Sequence, residues 1–428
     1  MQAGYAQVDY TPEPGLELQG QQFRRVSEYA RDPLCACAVA FRQGDETIAL
    51  VAVDSCAFPS DLVARAQQGF GERTGLPGRR LLVSGTHSHV APHTFVDQWG
   101  IPDPAFLDKL VGAVVEAAAG ALDRMEPASV FRAESKLEHL GWNRRTMFAD
   151  GASQMHGDTS RPDFIGVEGP RDTTLSVLYT RDQSGAVTGV LTNFAIHPNC
   201  VECGCYYSAD LPGEIRRLLK LWLGPEVGVL HLTGAAGNVT GVIRDHYVET
   251  QPWMGEEGLW RSGLYLAGEA AKLIAPPTEP SEPVLRIAQT ALSIPIRPWP
   301  EKGSRNQPDY WSDESRVYYE KLHEDWPRRM REESPVEVRV NVVRIGDVVI
   351  CTNPAEFFVE FGLTIRDASP AAVTIVSELM DGYVGYIPTR LAFERGGYET
   401  WPAGTSKLVP EAGEMIVDAT RKLLQEVF

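Results

Sequence analysis

From residue 48 to 53 the chain reads Ile-Ala-Leu-Val-Ala-Val, and the first charge after that run is Asp54. A strand with one wet face alternates apolar and polar residues. A run with no polar face belongs in a sheet covered on both sides. A helical pattern follows over roughly 60–74, and then a short apolar strand, Leu81-Leu82-Val83-Ser84. The alanine-rich stretch 104–123 reads as a long helix, and strands and helices keep alternating through 172–275. This pattern predicts an α/β (mixed α+β) fold with helices packed on a mixed sheet. Further on, Pro276-Pro277-Thr278-Glu279-Pro280-Ser281-Glu282-Pro283 breaks the pattern and is expected to be a surface loop. A strand near 284–296, a charged helix near 313–333, a hairpin turning at Gly346-Asp347 and a final amphipathic helix near 410–427 complete the reading. No internal repeat is visible in the residues, and 1–428 is expected to form one catalytic domain.

Charge and cysteine content narrow the function. The formal net charge is -17, from 57 acidic and 40 basic residues. That speaks against a broad nucleic-acid face and against steady adhesion to anionic lipid. The expected partner is a small-molecule substrate, with no nucleic acid and no stable membrane association, and the sequence leaves room for a homo-oligomer. The start, Met1-Gln2-Ala3-Gly4-Tyr5, lacks a basic stretch and an apolar run. Seven cysteines is an odd count and a small one for a chain this long. Both features give the expectation of a cytoplasmic protein with reduced thiols.

Three places carry chemistry. After Leu81-Leu82-Val83-Ser84 comes Gly85-Thr86-His87-Ser88-His89-Val90-Ala91-Pro92-His93, a strand running out into a histidine-rich turn. Such turns hold side chains on rigid backbone while leaving them accessible. In extended backbone His87 and His89 would share a side, one as ligand and the other for proton transfer. The second place is Leu191-Thr192-Asn193-Phe194-Ala195-Ile196-His197-Pro198, again an apolar strand reaching a histidine. The third, Val348-Val349-Ile350-Cys351-Thr352-Asn353-Pro354-Ala355-Glu356, places a carboxylate in the expected first turn of a helix. Two histidines and one glutamate make a common catalytic zinc set with an open position. Cys200, Cys203 and Cys205 lack a downstream cysteine pair and read as free thiols in a loop.

Thr86-His87-Ser88-His89, Asn193-Phe194-Ala195-Ile196-His197-Pro198, Pro354-Ala355-Glu356-Phe357 and Gly385-Tyr386-Ile387-Pro388-Thr389 stand in the order seen in neutral/alkaline (non-lysosomal) ceramidases. The chain resembles their catalytic domain from Val8-Asp9 to about Glu399. The resemblance implies zinc as cofactor, with His87, His197 and Glu356 as ligands and Tyr386 as the fourth, Tyr383 being the alternative. It implies His89 as the catalytic histidine, with Arg144 and Tyr398 as further active-site groups. The chain also departs from the family. Gly237-Asn238-Val239-Thr240-Gly241 carries Asn238 and Thr240 where an aspartate and the active-site serine are usual, so the resemblance makes Thr240 the candidate for the serine's catalytic place, in a turn expected to face the substrate. The family's immunoglobulin-like domain and its secretion signal are expected to be absent.

The function so implied is hydrolysis of a carbon–nitrogen (amide) bond through a metal-activated water, on a substrate smaller and more soluble than ceramide. Alternatives are an esterase or lactonase, a phosphoesterase using Asp54 and Asp210 as extra metal carboxylates, or a non-catalytic zinc protein. The aromatics between 299 and 326, among them Tyr310, Trp311, Tyr318 and Tyr319, are expected to pack a helix onto the domain. Their other use would be to line a pocket wall.

Overall fold

The computed structural model describes residues 1–241, 254–309 and 312–428. Tyr310 and Trp311 therefore lie outside the described residues. The predicted mixed α/β architecture is present, and it is built three times over. In the first unit the strands Gln2–Asp9, Cys35–Gln43 and Glu46–Val53 run antiparallel. The helix Ser60–Thr74 then returns the chain to Leu81–Gly85, parallel to Glu46–Val53, and the helix Pro104–Asp123 closes the unit. Ser129–Lys136, Thr174–Arg181 and Val187–Phe194 repeat this, followed by Asp210–Leu223, the parallel strand Gly228–Thr233 and the helix Gly255–Ile274. Leu285–Ile294, Val336–Ile345 and Val348–Thr352, then Val359–Ala368, Val373–Ser377 and Ala412–Val427, repeat it again. The expectation of no repeat is thus overturned at the level of structure. What recurs is the order of elements and the in/out pattern of burial, and many side chains satisfy both.

The absence of polar faces now has its cause. In the first sheet Ala36, Ala38, Val51, Val53 and Val83 pack against its two helices. The alternate residues Cys35, Val39, Phe41, Leu50 and Leu82 face the other way, into a core shared with Leu178, Leu191 and Leu230 of the second sheet and Val343, Ile350 and Ile375 of the third. Each sheet has helices outside and two sheets inside, so every central strand is covered twice. The break at 276–283 joins the second unit to the third, and Ser281 N donates to Val130 O at 2.8 Å.

The carboxyl ends of the three parallel pairs meet and are stitched together. Gly85 N donates to Leu379 O, Asp381 N to Val83 O, and Glu378 N to Thr233 O. Thr233 Oγ1 donates to Thr86 O at 2.9 Å, and Asn193 Nδ2 to Val376 O at 3.1 Å. No helix among the described residues is long and apolar enough to cross a membrane.

Two measurements check this account of stability. Ile350→Ala should lower stability by about 2–5 kcal/mol, read from the shift in urea midpoint, because the cavity opens where three sheets meet. Leu221→Ala, at a side chain 68% exposed, should move it by about 0.5 kcal/mol or less. His231 is buried and burial alone lowers its pKa to about 4. The folded chain then binds its proton later than the unfolded chain does. Stability from this group is full above the ordinary imidazole value and is lost as pH falls toward about 4. His231→Gln should flatten that part of the stability–pH curve.

Candidate metal centre

His87, His197 and Glu356 come from three different units and meet at the stitched strand ends. His87 leaves the strand Leu81–Gly85 with a positive φ of 69°, so the backbone there is not extended as the sequence suggested. Strain of that kind persists where surroundings over-determine it. Here Ser55 O accepts from His87 N at 2.8 Å, and Cys56 O accepts from Nδ1 at 2.7 Å. His197 lies three residues beyond the end of Val187–Phe194; its N–H donates to Val239 O, and Nδ1 donates to Ala236 O at 2.9 Å. Glu356 is not in a helical turn. It sits in the short strand Ala355–Phe357, which pairs in parallel with Gly385–Ile387 so that Glu356 stands beside Tyr386. The helix begins only at Val359.

A carbonyl oxygen only accepts, so Nδ1 carries a proton in both rings and each Nε2 is left to face inward. Those two Nε2 atoms are 2.9 Å apart. Two bare lone pairs at that distance repel, so the spot calls for a cation, either a proton or a metal. Glu356 Oε2 stands 3.5 Å from His87 Nε2 and 3.7 Å from His197 Nε2, is buried, and has no hydrogen-bond partner. Ligand atoms bonded to tetrahedral zinc at about 2.0–2.1 Å stand about 3.4 Å apart. The separations and the orphaned carboxylate oxygen fit such an ion. Charge follows the same logic. Burial opposes protonation of His87, but Cys56 and Glu356 outweigh it and hold His87 well above the ordinary imidazole range. His197 is driven well below that range by burial, His87 and Arg144.

The other predicted residues divide around this point. Tyr383 donates to Glu356 Oε1 at 2.6 Å, the oxygen turned from the histidines. Tyr386 stands beside Glu356 through the strand pairing, and its hydroxyl accepts from Arg144 Nη2 at 3.1 Å. Of the two tyrosines, Tyr383 is the one hydrogen-bonded to the carboxylate. Arg144 Nη1 approaches His197 Nε2 at 3.5 Å, and its Nε donates to Glu399 at 2.9 Å. Glu399 also accepts from Arg145 at 2.7 Å, and all three side chains are buried. His89 Nε2 lies 3.3 Å from His87 Nε2, while Nδ1 faces Glu202 at 3.2 Å. Burial lowers the pKa of His89 despite Glu202, leaving a neutral ring with Nε2 toward the cluster. Tyr398 packs edge-on against Tyr386 with ring centroids 5.7 Å apart and lines the cavity over the ligands.

Thr240 and Asn238 are placed differently. Thr240 is bridged to His197 through the backbone and its Oγ1 donates to Asn199, so it forms the wall behind the histidine. Asn238 accepts from Val359 N and donates to Glu360, holding the start of a helix, with its carbonyl bonded to Arg144 N. The expected substrate-facing turn is therefore a brace. His93 is buried beside Asp97 at 3.4 Å and does not join the cluster. Asp54 is bound to Arg216 at 2.8 Å, and Asp210 accepts from Cys200 N, Val201 N and Leu211 N. Neither can bridge metals here, which removes the support for a phosphoesterase. Among the described residues no group able to hold a metal includes Cys200, Cys203 or Cys205. The second such group, Cys56 with His87 and His89, shares His87 with the first. Tyr319 is buried in the core cluster that holds Trp326 and Tyr318 packs against it, and both also line the cavity. The segment packs onto the domain as expected, and Tyr318 and Tyr319 serve the pocket wall as well.

Three residues at the site were not singled out from sequence. Cys56 comes shortly after the apolar run 48–53, and Glu378 comes directly after Val373–Ser377, so both sit at strand ends like the ligands themselves. Glu378 accepts from Ala236 N and Phe357 N, fixing the backbone beside both His197 and Glu356. Burial raises its carboxyl to about 8. Glu202 is hidden in sequence among the cysteines.

The fold and the cluster together define a mixed α/β protein with a buried two-histidine, one-glutamate centre, and this chain has a neutral ceramidase-like fold. It superposes on neutral ceramidase from Pseudomonas aeruginosa with a TM-score of 0.77 at 17% identity, covering 100% of this chain and 75% of that one. It matches a structure of ceramidase complexed with C2 with a TM-score of 0.76 at 16% identity, covering 99% of this chain and 74% of that one. No family model matches the sequence, and no curated protein matches it.

Elemental analysis tests the ligand set. The purified chain should carry one zinc, His87→Ala and Glu356→Ala should lose most of it, and His89→Ala should keep it. Full occupancy in both ligand variants would refute the assignment.

Proposed function

We propose that the chain is a zinc-dependent hydrolase that cleaves the amide bond of a small soluble substrate. The observation that supports it most is the convergence of two inward-facing histidine Nε2 atoms and an orphaned carboxylate oxygen beside the His89–Glu202 pair. The fold likeness to neutral ceramidase supports an amide as the bond cleaved. His87, His197 and Glu356 would hold the metal, with Tyr386 alongside. When bound, zinc supplies a Lewis acid that polarises a carbonyl and acidifies water.

The protein's own groups do the rest. Glu202 orients His89 so that Nε2 points to the cluster. There it takes a proton from the attacking water and returns it to the amide nitrogen as the carbon–nitrogen bond breaks, leaving a carboxylic acid and an amine. Arg144, fixed by Glu399 at Nε, presents its other nitrogens toward Tyr386 and His197, where negative charge develops on the carbonyl oxygen. The cavity above the ligands is about 100 Å³ and is lined by Gln19, Phe95, Trp99, Tyr318 and Tyr319 among others. Drug-sized ligands fill about 300–1,000 Å³, so only a compact group fits against the metal. That supports a small substrate.

A panel of amides, esters and phosphoesters tests the reading. Short N-acyl compounds should be hydrolysed faster than ceramide in detergent, and phosphoesters should not react. His89→Ala should retain zinc yet lose on the order of 100-fold or more in turnover. Faster release of long-chain fatty acid from ceramide would refute the small-substrate reading, and phosphoester turnover the reaction class.

A further inference from the structure

A second cavity, of about 610 Å³, lies next to the one over the ligands, and Gln22 and Tyr398 line both. Two guanidiniums line it, Arg305 and Arg395. Arg395 ends the helix Arg390–Arg395. A Cβ on Gly396 would lie 2.3 Å from Arg305 O, so the backbones of the two arginines are in close contact. Only glycine at 396 allows that approach, and its φ of 77° suits glycine as well.

Neither arginine is paired with a carboxylate among the described residues. Arg305 Nη2 donates to Asp150 O at 2.5 Å, and Arg395 Nη1 meets Met147 Sδ at 3.0 Å. Among the described residues neither has a carboxylate within 4.0 Å, whereas the nearby Arg161 and Arg390 are paired with Asp163 and Glu411. Asp309 also lines the cavity and is paired with neither. With a net charge of -17, the chain has carboxylates in excess, yet these two cations are left to face an open space. A guanidinium is a planar fork of donors suited to a carboxylate or phosphate.

We propose that this cavity binds an anionic group at the far end of the substrate, with Arg305 and Arg395 as its specificity determinants. The scissile carbonyl would lie at the ligand cluster, the linking chain would pass between Gln22 and Tyr398, and the charged end would meet the two arginines. The proposal rests on the hydrolase reading for the chemistry, but not for the binding. It assigns the substrate class: an amide carrying a carboxylate or phosphate some distance from the bond cleaved. The overall negative field disfavours any anion in bulk, so the paired guanidiniums provide the local attraction.

The test compares N-acyl amines that end in a carboxylate, a phosphate or an uncharged hydroxyl, on the zinc-loaded full chain. At least one charged form should exceed the hydroxyl form in kcat/KM by about tenfold or more. In Arg305→Gln and Arg395→Gln that ratio should collapse toward unity. Equal kcat/KM for charged and uncharged forms in the wild type, or a ratio that survives both substitutions, would overturn the proposal. If no amide is turned over, the hydrolase reading fails on its own, and calorimetric titration with adipate and with inorganic phosphate decides the cavity. Binding of either to the wild type that is lost in both variants supports the proposal; no binding, or equal binding in the variants, overturns it.

Discussion

Three sheets bury one face each in a common core, and the rest of the structure follows from that packing. Phe41, Leu191 and Ile350 come from different sheets and share the same core. With helices on the outer faces, the central strands have no wet side on which a functional group could stand. Polar chemistry is left to the strand ends, as is usual for parallel strands, whose ligand sites lie beyond their carboxyl ends. In each unit one pair of strands is parallel, and all three pairs end at the same place. His87, His197 and Glu356 reach one point because the inner core fixes three separate sheets against one another.

Such a site is deep, and depth has an electrostatic cost. Glu356, Glu378, Glu399, Arg144, Arg145 and the histidines are all nearly or fully buried. A buried charge without a partner destabilises by several kcal/mol, while a well-bonded group is tolerated. Glu399 resolves part of this by accepting from both Arg144 and Arg145, and Arg145 is further held by Glu168 at 3.0 Å and Gly396 O at 2.6 Å. Glu378, raised toward neutrality by its burial, braces backbone without adding a second full negative charge beside Glu356. Glu356 Oε2, Glu378 Oε1, Arg145 Nε and Thr86 Oγ1 are buried without a hydrogen-bond partner, and Glu356 Oε2 is the one of these that faces the two inward nitrogens.

Local signals in the sequence carried much of this. Apolar runs such as 48–53 became buried strands, and His87, His197 and Glu356 stand a few residues beyond the ends of three such runs. The threefold repetition was not legible, because burial pattern and element order recur while residues do not. Thr47–Asp54 and Val348–Thr352 occupy corresponding places with different side chains. Nor could spacing give the roles of Asn238 and Thr240. Both lie in a turn between strand and site, and only the tertiary contacts show Asn238 bonded to Val359 N and Thr240 to Asn199. Glu202 was missed for a related reason. It is brought to His89 by the loop after His197, and that loop has no periodic pattern to read.

The three units contribute unequally, and this leaves one side of the cluster open. Two of the candidate ligands leave the third strand of their unit: His197 after Val187–Phe194 and Glu356 after Val348–Thr352. In the first unit Asp54, directly after the strand, is held by Arg216 and by Cys35 N at 2.8 Å, and the residue three beyond the strand end is Cys56. The ligand there comes instead from the fourth strand, as His87. The segment 53–56 is thereby free to act as a support, with Ser55 O and Cys56 O holding the His87 backbone and ring. His89, two residues on, then stands beside the ligands without being drawn into the triangle they form. A site with strict threefold symmetry would surround its ion with equivalent groups on every side. Here one side is occupied by His89 and Glu202 and opens into the cavity lined by Gln19, Gln22 and Tyr398.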